Sequence, residues 1–93
     1  MQLVAPFQNQ FEIESHTNAA TVYLRGSLSA AGALGAVAAC HSLPEPVRAL
    51  VVDLRGVSLV ESDGLVTLHH LLRRWRAVRD GTIRVLPPLQ RAA

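Results

Sequence analysis

Ser62 is the hydroxyl best placed for chemistry in this chain. It sits in Glu61-Ser62-Asp63-Gly64-Leu65, a few residues after the apolar run Leu50-Val51-Val52-Asp53-Leu54 and at the opening of a helical pattern. A strand-to-helix turn leaves the first N–H groups of the helix unpaired, and their partial positive charge stabilises an anion formed or bound there. A serine in that place can serve as a nucleophile, or it can carry a modification that changes the local charge. Its plain structural use is as an N-cap, which contributes about 1 kcal/mol.

The nucleophile reading fails on its neighbours. A hydrolase elbow has glycines two residues to each side of the serine, and here the first of these positions is Val60. That fold also supplies its acid and then its histidine after the serine, whereas no histidine follows His70. Other constellations are weaker. His69 and His70 point about 100° apart on a helix and cannot share one ion, and the same argument applies to Cys40-His41. Gly32 and Gly35 lack the Gly-Lys-Ser/Thr ending of a phosphate loop, and the chain has no lysine. The residues therefore call for no catalytic group, metal or cofactor.

A phosphate on Ser62 would add roughly −1.5 to −2 charge at neutral pH. The helix start would stabilise it, while Glu61 and Asp63 would oppose it and join it in repelling an acidic partner. A change of binding is the expected consequence, more than a change of folding.

The elements that must position this serine follow from periodicity. Phe11, Ile13 and Val22, Leu24 alternate with polar residues on either side of Ser15-His16-Thr17-Asn18, which predicts an N-terminal hairpin. Ala30 to His41 predicts a small-residue helix with Ser29 as N-cap and with Leu34, Val37 and His41 at helical spacing. Pro44-Glu45-Pro46 ends it. Ala49 to Leu54, almost continuously apolar, predicts a central strand covered on both faces.

From Gly64 onward, Leu68, Leu71, Leu72, Trp75 and Val78 share one arc, with Leu65 at its margin. The far side collects His69, His70, Arg73 and Arg74 around a single aliphatic, Val66. Asp80-Gly81 stops this helix, Thr82 to Leu86 forms a last strand, and Pro87-Pro88 closes it. The expected fold is α/β, ordered β-β-α-β-α-β, with right-handed crossovers and a mixed, mostly parallel sheet.

Length and composition set bounds on function. Ninety-three residues make one domain, residues 1–93 with a core over 11–89, and 49% apolar content excludes a disordered tail. No apolar run approaches the roughly 20 residues of a membrane span, and Met1 to Phe7 lacks a signal-peptide pattern, so a cytoplasmic protein without membrane insertion is expected. Net charge is only +2 and aromatics are 4%. The clustered Arg73, Arg74, Arg76 and Arg79 therefore predict a solvated helix face and no direct nucleic-acid contact. The lone Cys40, in an Ala-rich helix, reads as a small buried hydrophobe.

Taken in order, three segments resemble the STAS family, and within it the small anti-anti-sigma factors, or anti-sigma factor antagonists. Leu24-Arg25-Gly26-Ser27-Leu28 looks like the family's Leu-x-Gly-x-Leu segment, and Val52-Asp53-Leu54-Arg55-Gly56-Val57 like its central strand. Glu61-Ser62-Asp63-Gly64-Leu65 is similar to its Asp-Ser-Ser/Ala-Gly-Leu phosphorylation motif. The resemblance implies a non-enzymatic, STAS-like regulatory module whose partner, an anti-sigma factor with serine kinase activity, phosphorylates Ser62 and binds the unmodified form. It further implies a partner-binding surface of Ser29, Glu61, Ser62, Asp63, Gly64, Leu65 and Val66.

Three departures shape the alternatives. Glu61 replaces the motif's Asp, and Asp63 adds a charge beside the target hydroxyl. The chain is also C-terminally shortened relative to the family, with Pro88-Leu89-Gln90-Arg91 resembling the opening of a further helix. The uncovered sheet surface this implies would be met by a second copy, as a homodimer, or by a partner. The alternative functions are an accessory subunit of an ABC-type lipid transporter and an assembly subunit that is never modified.

Overall fold

The computed structural model describes residues 11–89. Met1 to Phe7 lies outside them, as do Gln90 and Arg91. The hairpin forms as expected: β1 (Phe11–Ser15) and β2 (Ala19–Leu28) are antiparallel, with Ile13 opposite Val22. α1 (Ala30–His41), β3 (Ala49–Val60), α2 (Ser62–Arg79) and β4 (Thr82–Leu86) follow. The strands lie in the order β1-β2-β3-β4, with β2/β3 and β3/β4 parallel. Right-handed crossovers that advance in one direction place both helices on one face of such a sheet, and α1 and α2 pack together over it.

Beneath them lie Ala20, Val22, Leu24 and Leu28 from β2 and Leu50, Val52, Leu54 and Val57 from β3, all buried. The other face reads differently. Ala49, Val51, Thr21 and Tyr23 are only half-buried, so among the described residues β3 is covered by helices on one face and not on both. The apolar run misled because Ala49 and Val51 are small enough to lie half in water at modest cost.

β3 also outruns its apolar segment. It continues to Val60 because β2 stays beside it through Leu28, pairing Gly26 with Val57 and Leu28 with Val60. Irregularities at Tyr23/Arg25 and Gly26/Ser27 permit this, and Gly26, at φ 72°, takes the left-handed backbone they require.

In α1 the core-facing stripe is Ala33, Ala36, Val37 and Cys40, while Leu34 and His41 are exposed. Small residues at i, i+3, i+4 and i+7 let α1 approach α2 closely, so the larger Leu34 is turned outward. Ser29 caps the helix as expected, its Oγ accepting from the Gly32 N–H at 3.1 Å.

Cys40 is fully buried, and burial pushes its thiol up to about 11 against a weaker opposing pull from Arg79. Ionisation is thus penalised in the folded state. Well below its ordinary value of about 9 the thiol is neutral folded or unfolded, and as pH rises from there toward 11 the unfolded chain ionises first and stability is lost. At pH 8 the native protein should react with iodoacetamide at least about 100-fold more slowly than the urea-unfolded chain. Equal rates, read by mass spectrometry, would show Cys40 to be accessible.

On α2, Leu68, Leu72 and Trp75 are buried and Leu71 packs against them, but Val78 is 70% exposed. The place expected for Val78 belongs to Arg79, which stands almost in line with Leu68 and Leu72 at 100° per residue. Its guanidinium donates to the carbonyls of Leu43 (2.7 Å), Pro44 (2.8 Å), Val47 (2.9 Å) and His41 (3.3 Å). Arg79 is therefore a clasp on the α1–β3 loop and not part of a solvated face. Arg73, Arg74 and Arg76 are exposed as expected.

The end of α2 divides its work between two residues. Asp80 takes the left-handed conformation (φ 53°) and sends its N–H to the Ala77 and Arg76 carbonyls. Gly81 is required for space, since a Cβ there would strike the Arg48 carbonyl. Pro88 and Leu89 are not helical.

Candidate functional site

The connection from β3 to α2 is a single residue. Glu61, extended at φ −91° and ψ 144°, donates its N–H to the Leu28 carbonyl at 3.1 Å as the last rung of the sheet, and α2 begins at Ser62. Ser62 is thus the first helical residue. The N-cap position belongs to Glu61, whose side chain makes no capping bond. The capping role expected for Ser62 is not used, and its exposed hydroxyl makes no hydrogen bond within the described residues.

Gly64 fixes where that hydroxyl stands. It is buried against the β2–α1 turn, and a Cβ on it would collide with the Leu28 carbonyl and lie 2.9 Å from the Ser29 carbonyl carbon. Only a glycine lets the start of α2 seat on this turn. The seating brings Ser29, the α1 cap, beside Glu61, and both line a groove of about 390 Å³ together with Phe11, Ser27 and Gly35.

Around Ser62 the apolar exposure is concentrated. Leu59 (55%), Val60 (40%), Leu65 (49%) and Val66 (55%) all lie within four residues of it and largely in water. Leu65 and Val66 belong to the set expected from sequence, and Leu59 and Val60 were missed. The missing signal was the length of β3, since an apolar pair at a strand's end, just before an acid, can only face outward once the strand passes the edge of the helix layer.

Every residue expected at the site is therefore gathered at one end of the sheet: Ser29, Glu61, Ser62, Asp63, Gly64, Leu65 and Val66. Chemically it is an acidic, donor-rich helix start with exposed apolar side chains close by in the chain. No described side chain lies within hydrogen-bond distance of the Ser62 hydroxyl, and no group of three or more His, Cys, Asp or Glu among the described residues could hold a metal. No helix of the described residues is long and apolar enough to cross a membrane.

Neither a family model nor a curated protein sequence matches the chain, but solved structures do. Mglu superposes with a TM-score of 0.79 at 19% identity over 99% of this chain, which spans only 23% of the Mglu chain. The anti-sigma factor antagonist SpoIIAA in its unphosphorylated form gives 0.63 at 19% identity, covering 84% of this chain and 70% of that one. An antisigma-factor antagonist STAS domain from Rhodobacter sphaeroides gives 0.61 at 14% identity, covering 83% and 86%.

The fold is that of a STAS domain. At these identities the likeness is one of fold alone.

Proposed function

We propose that this domain is a non-enzymatic binding module, an anti-sigma factor antagonist that docks on an anti-sigma factor with serine kinase activity and is switched by phosphorylation at Ser62. The observation that carries this reading is the placement of Ser62, an unengaged, exposed hydroxyl on the first residue of α2, with exposed Leu59, Val60, Leu65 and Val66 within four residues of it in the chain. Exposed apolar side chains give a partner something to bury, and the hydroxyl beside them gives a kinase something to modify.

Phosphorylation here would set about two charges between Glu61 and Asp63, in the surface the partner must desolvate. Docking then fails through like-charge repulsion and lost desolvation, while the fold, which does not bury this oxygen, is retained. Asp63 already supplies part of that charge.

Incubation with a candidate anti-sigma kinase and ATP, followed by peptide mass spectrometry, tests the assignment. Phosphate should appear on the wild type at Ser62 and be lost in Ser62→Ala. Ser62→Asp should melt within a few degrees of wild type yet bind the kinase at least about tenfold more weakly. Equal affinity of wild type and Ser62→Asp would remove the switch. If the protein captured from native lysate is instead the ATPase of a lipid transporter, the accessory-subunit reading takes its place.

A further inference from the structure

The outer face of α2 carries charge that the fold does not use. At 100° per residue, Ser62, Val66, His69, Arg73 and Arg76 fall within an arc of about 80°, and all five are exposed. The stripe starts at the switch residue and runs about 21 Å down the helix. Arg73 and Arg76 make no ion pair, hydrogen bond or ring contact among the described residues. Every Asp and Glu of the chain lies within residues 11–89, and none of them meets either arginine.

Other arginines have structural work. Arg55 is tied to Asp53, and Arg79 holds the loop after α1. A cation in the last turn offsets the helix dipole, which accounts for Arg76 as well as Arg79. Arg73 lies further back, beyond the reach of that effect. Arg73 and Arg76 are also neighbours on the helix surface, three residues apart, so they present two guanidinium forks together, each matched in shape by a carboxylate.

We propose that this stripe is the second half of the docking surface and that it takes an acidic protein surface, with carboxylates on Arg73 and Arg76 and an apolar group on Val66. The proposal rests on the switch reading for the identity of the partner. Charge pattern selects the kind of occupant. Glu61 and Asp63 flank Ser62 at the upper end of the stripe, where they repel a uniform polyanion such as duplex DNA or an acidic membrane, whereas a protein can place its acids at the arginine end alone. Ser62 and Arg73 are eleven residues apart, about 16 Å along the helix and nearly two Debye lengths at physiological salt. The two ends therefore act independently: the arginines draw the partner in, and charge added at Ser62 expels it.

Surface plasmon resonance of the full chain against the candidate anti-sigma kinase, and separately against a glutamate-rich helical peptide, tests this. Arg73→Glu with Arg76→Glu should keep the wild-type circular dichroism and weaken both interactions at least about tenfold, with the difference shrinking as salt is raised. Arg74→Glu changes charge about 100° round the helix from Arg73 and should weaken them by at most about threefold. If the reversed pair disturbs the fold, Arg73→Gln with Arg76→Gln should give a smaller loss in the same direction. In the Ser62→Asp background the loss from the arginine pair should be undiminished. Affinities indifferent to the arginine pair, or equally sensitive to Arg74→Glu, would overturn the proposal, as would tighter binding of duplex DNA or phosphatidylserine vesicles than of the peptide. A kinase that loses affinity for Ser62→Asp but not for the arginine pair leaves the switch standing and removes the stripe, and the opposite result removes the switch alone. If the wild type does not bind the kinase, the functional reading falls and the peptide decides the stripe.

Discussion

Gly64→Ala is expected to destabilise the domain by about 2–4 kcal/mol, although in most helices the same change stabilises. Helix propensity alone favours alanine by at most about 1 kcal/mol, and less in a first turn. Against it stands a methyl group driven into the Leu28 carbonyl. Overpacking against movable side chains costs about 1–3 kcal/mol, but here the obstacle is backbone held in the β2–α1 turn, so relief requires α2 to lift off. In a domain of this size that corresponds to a fall in melting temperature of roughly 10–25 °C.

Gly35 provides the control. A Cβ there would lie 3.9 Å from the Phe11 ring, an ordinary contact, so Gly35→Ala should stabilise by about 0.5–1 kcal/mol. Thermal melts of the two variants should move in opposite directions. Matching shifts would mean that the start of α2 is not seated as described, and the position of Ser62 would fall with it.

Trp75→Ala should cost about 3–5 kcal/mol, the largest loss available from one side chain. Trp75 is fully buried, its Nε1–H donates to the Cys40 carbonyl at 3.1 Å, and the Arg79 guanidinium carbon stands 5.3 Å from its ring centre. The ring is thus both core and floor for the arginine. Arg79→Ala should remove a further share, about 2–3 kcal/mol, by depriving four loop carbonyls of a charged donor. Arg79→Lys should recover little of it, because an ammonium lacks the planar fork that reaches several carbonyls at once. The two losses should also be strongly non-additive, since removing the ring unseats the guanidinium. Urea midpoints of the single and double variants measure this, and simple additivity would show that ring and clasp act independently.

Most of the path from residues to elements was legible because it rests on local physics. Alternation in Phe11–Ile13 and Val22–Leu24 gives strands, Ser29 before a small-residue run gives a capped helix, and proline or glycine pairs end them. Misreadings arose where a residue's surroundings outvoted its type. Leu34 and Val78 are apolar and exposed because smaller neighbours, or an arginine with four acceptors, hold the inward places. Helical spacing distributes directions but does not say which direction is inward to within half a turn.

The sequence by itself determined the order of elements and that Ser62 stands at the start of the second helix, since these follow from periodicity, proline and glycine breaks and local hydrogen bonding, whereas the need for Gly64 comes from its contact with the β2–α1 turn. Only the tertiary structure decided that Ser62 is exposed and uncommitted and that Leu59 and Val60 join Leu65 and Val66 as exposed apolar side chains close to it in the chain. Those are facts of register and of where one layer ends. They depend on how far β2 and β3 run side by side, and no single stretch of chain encodes that.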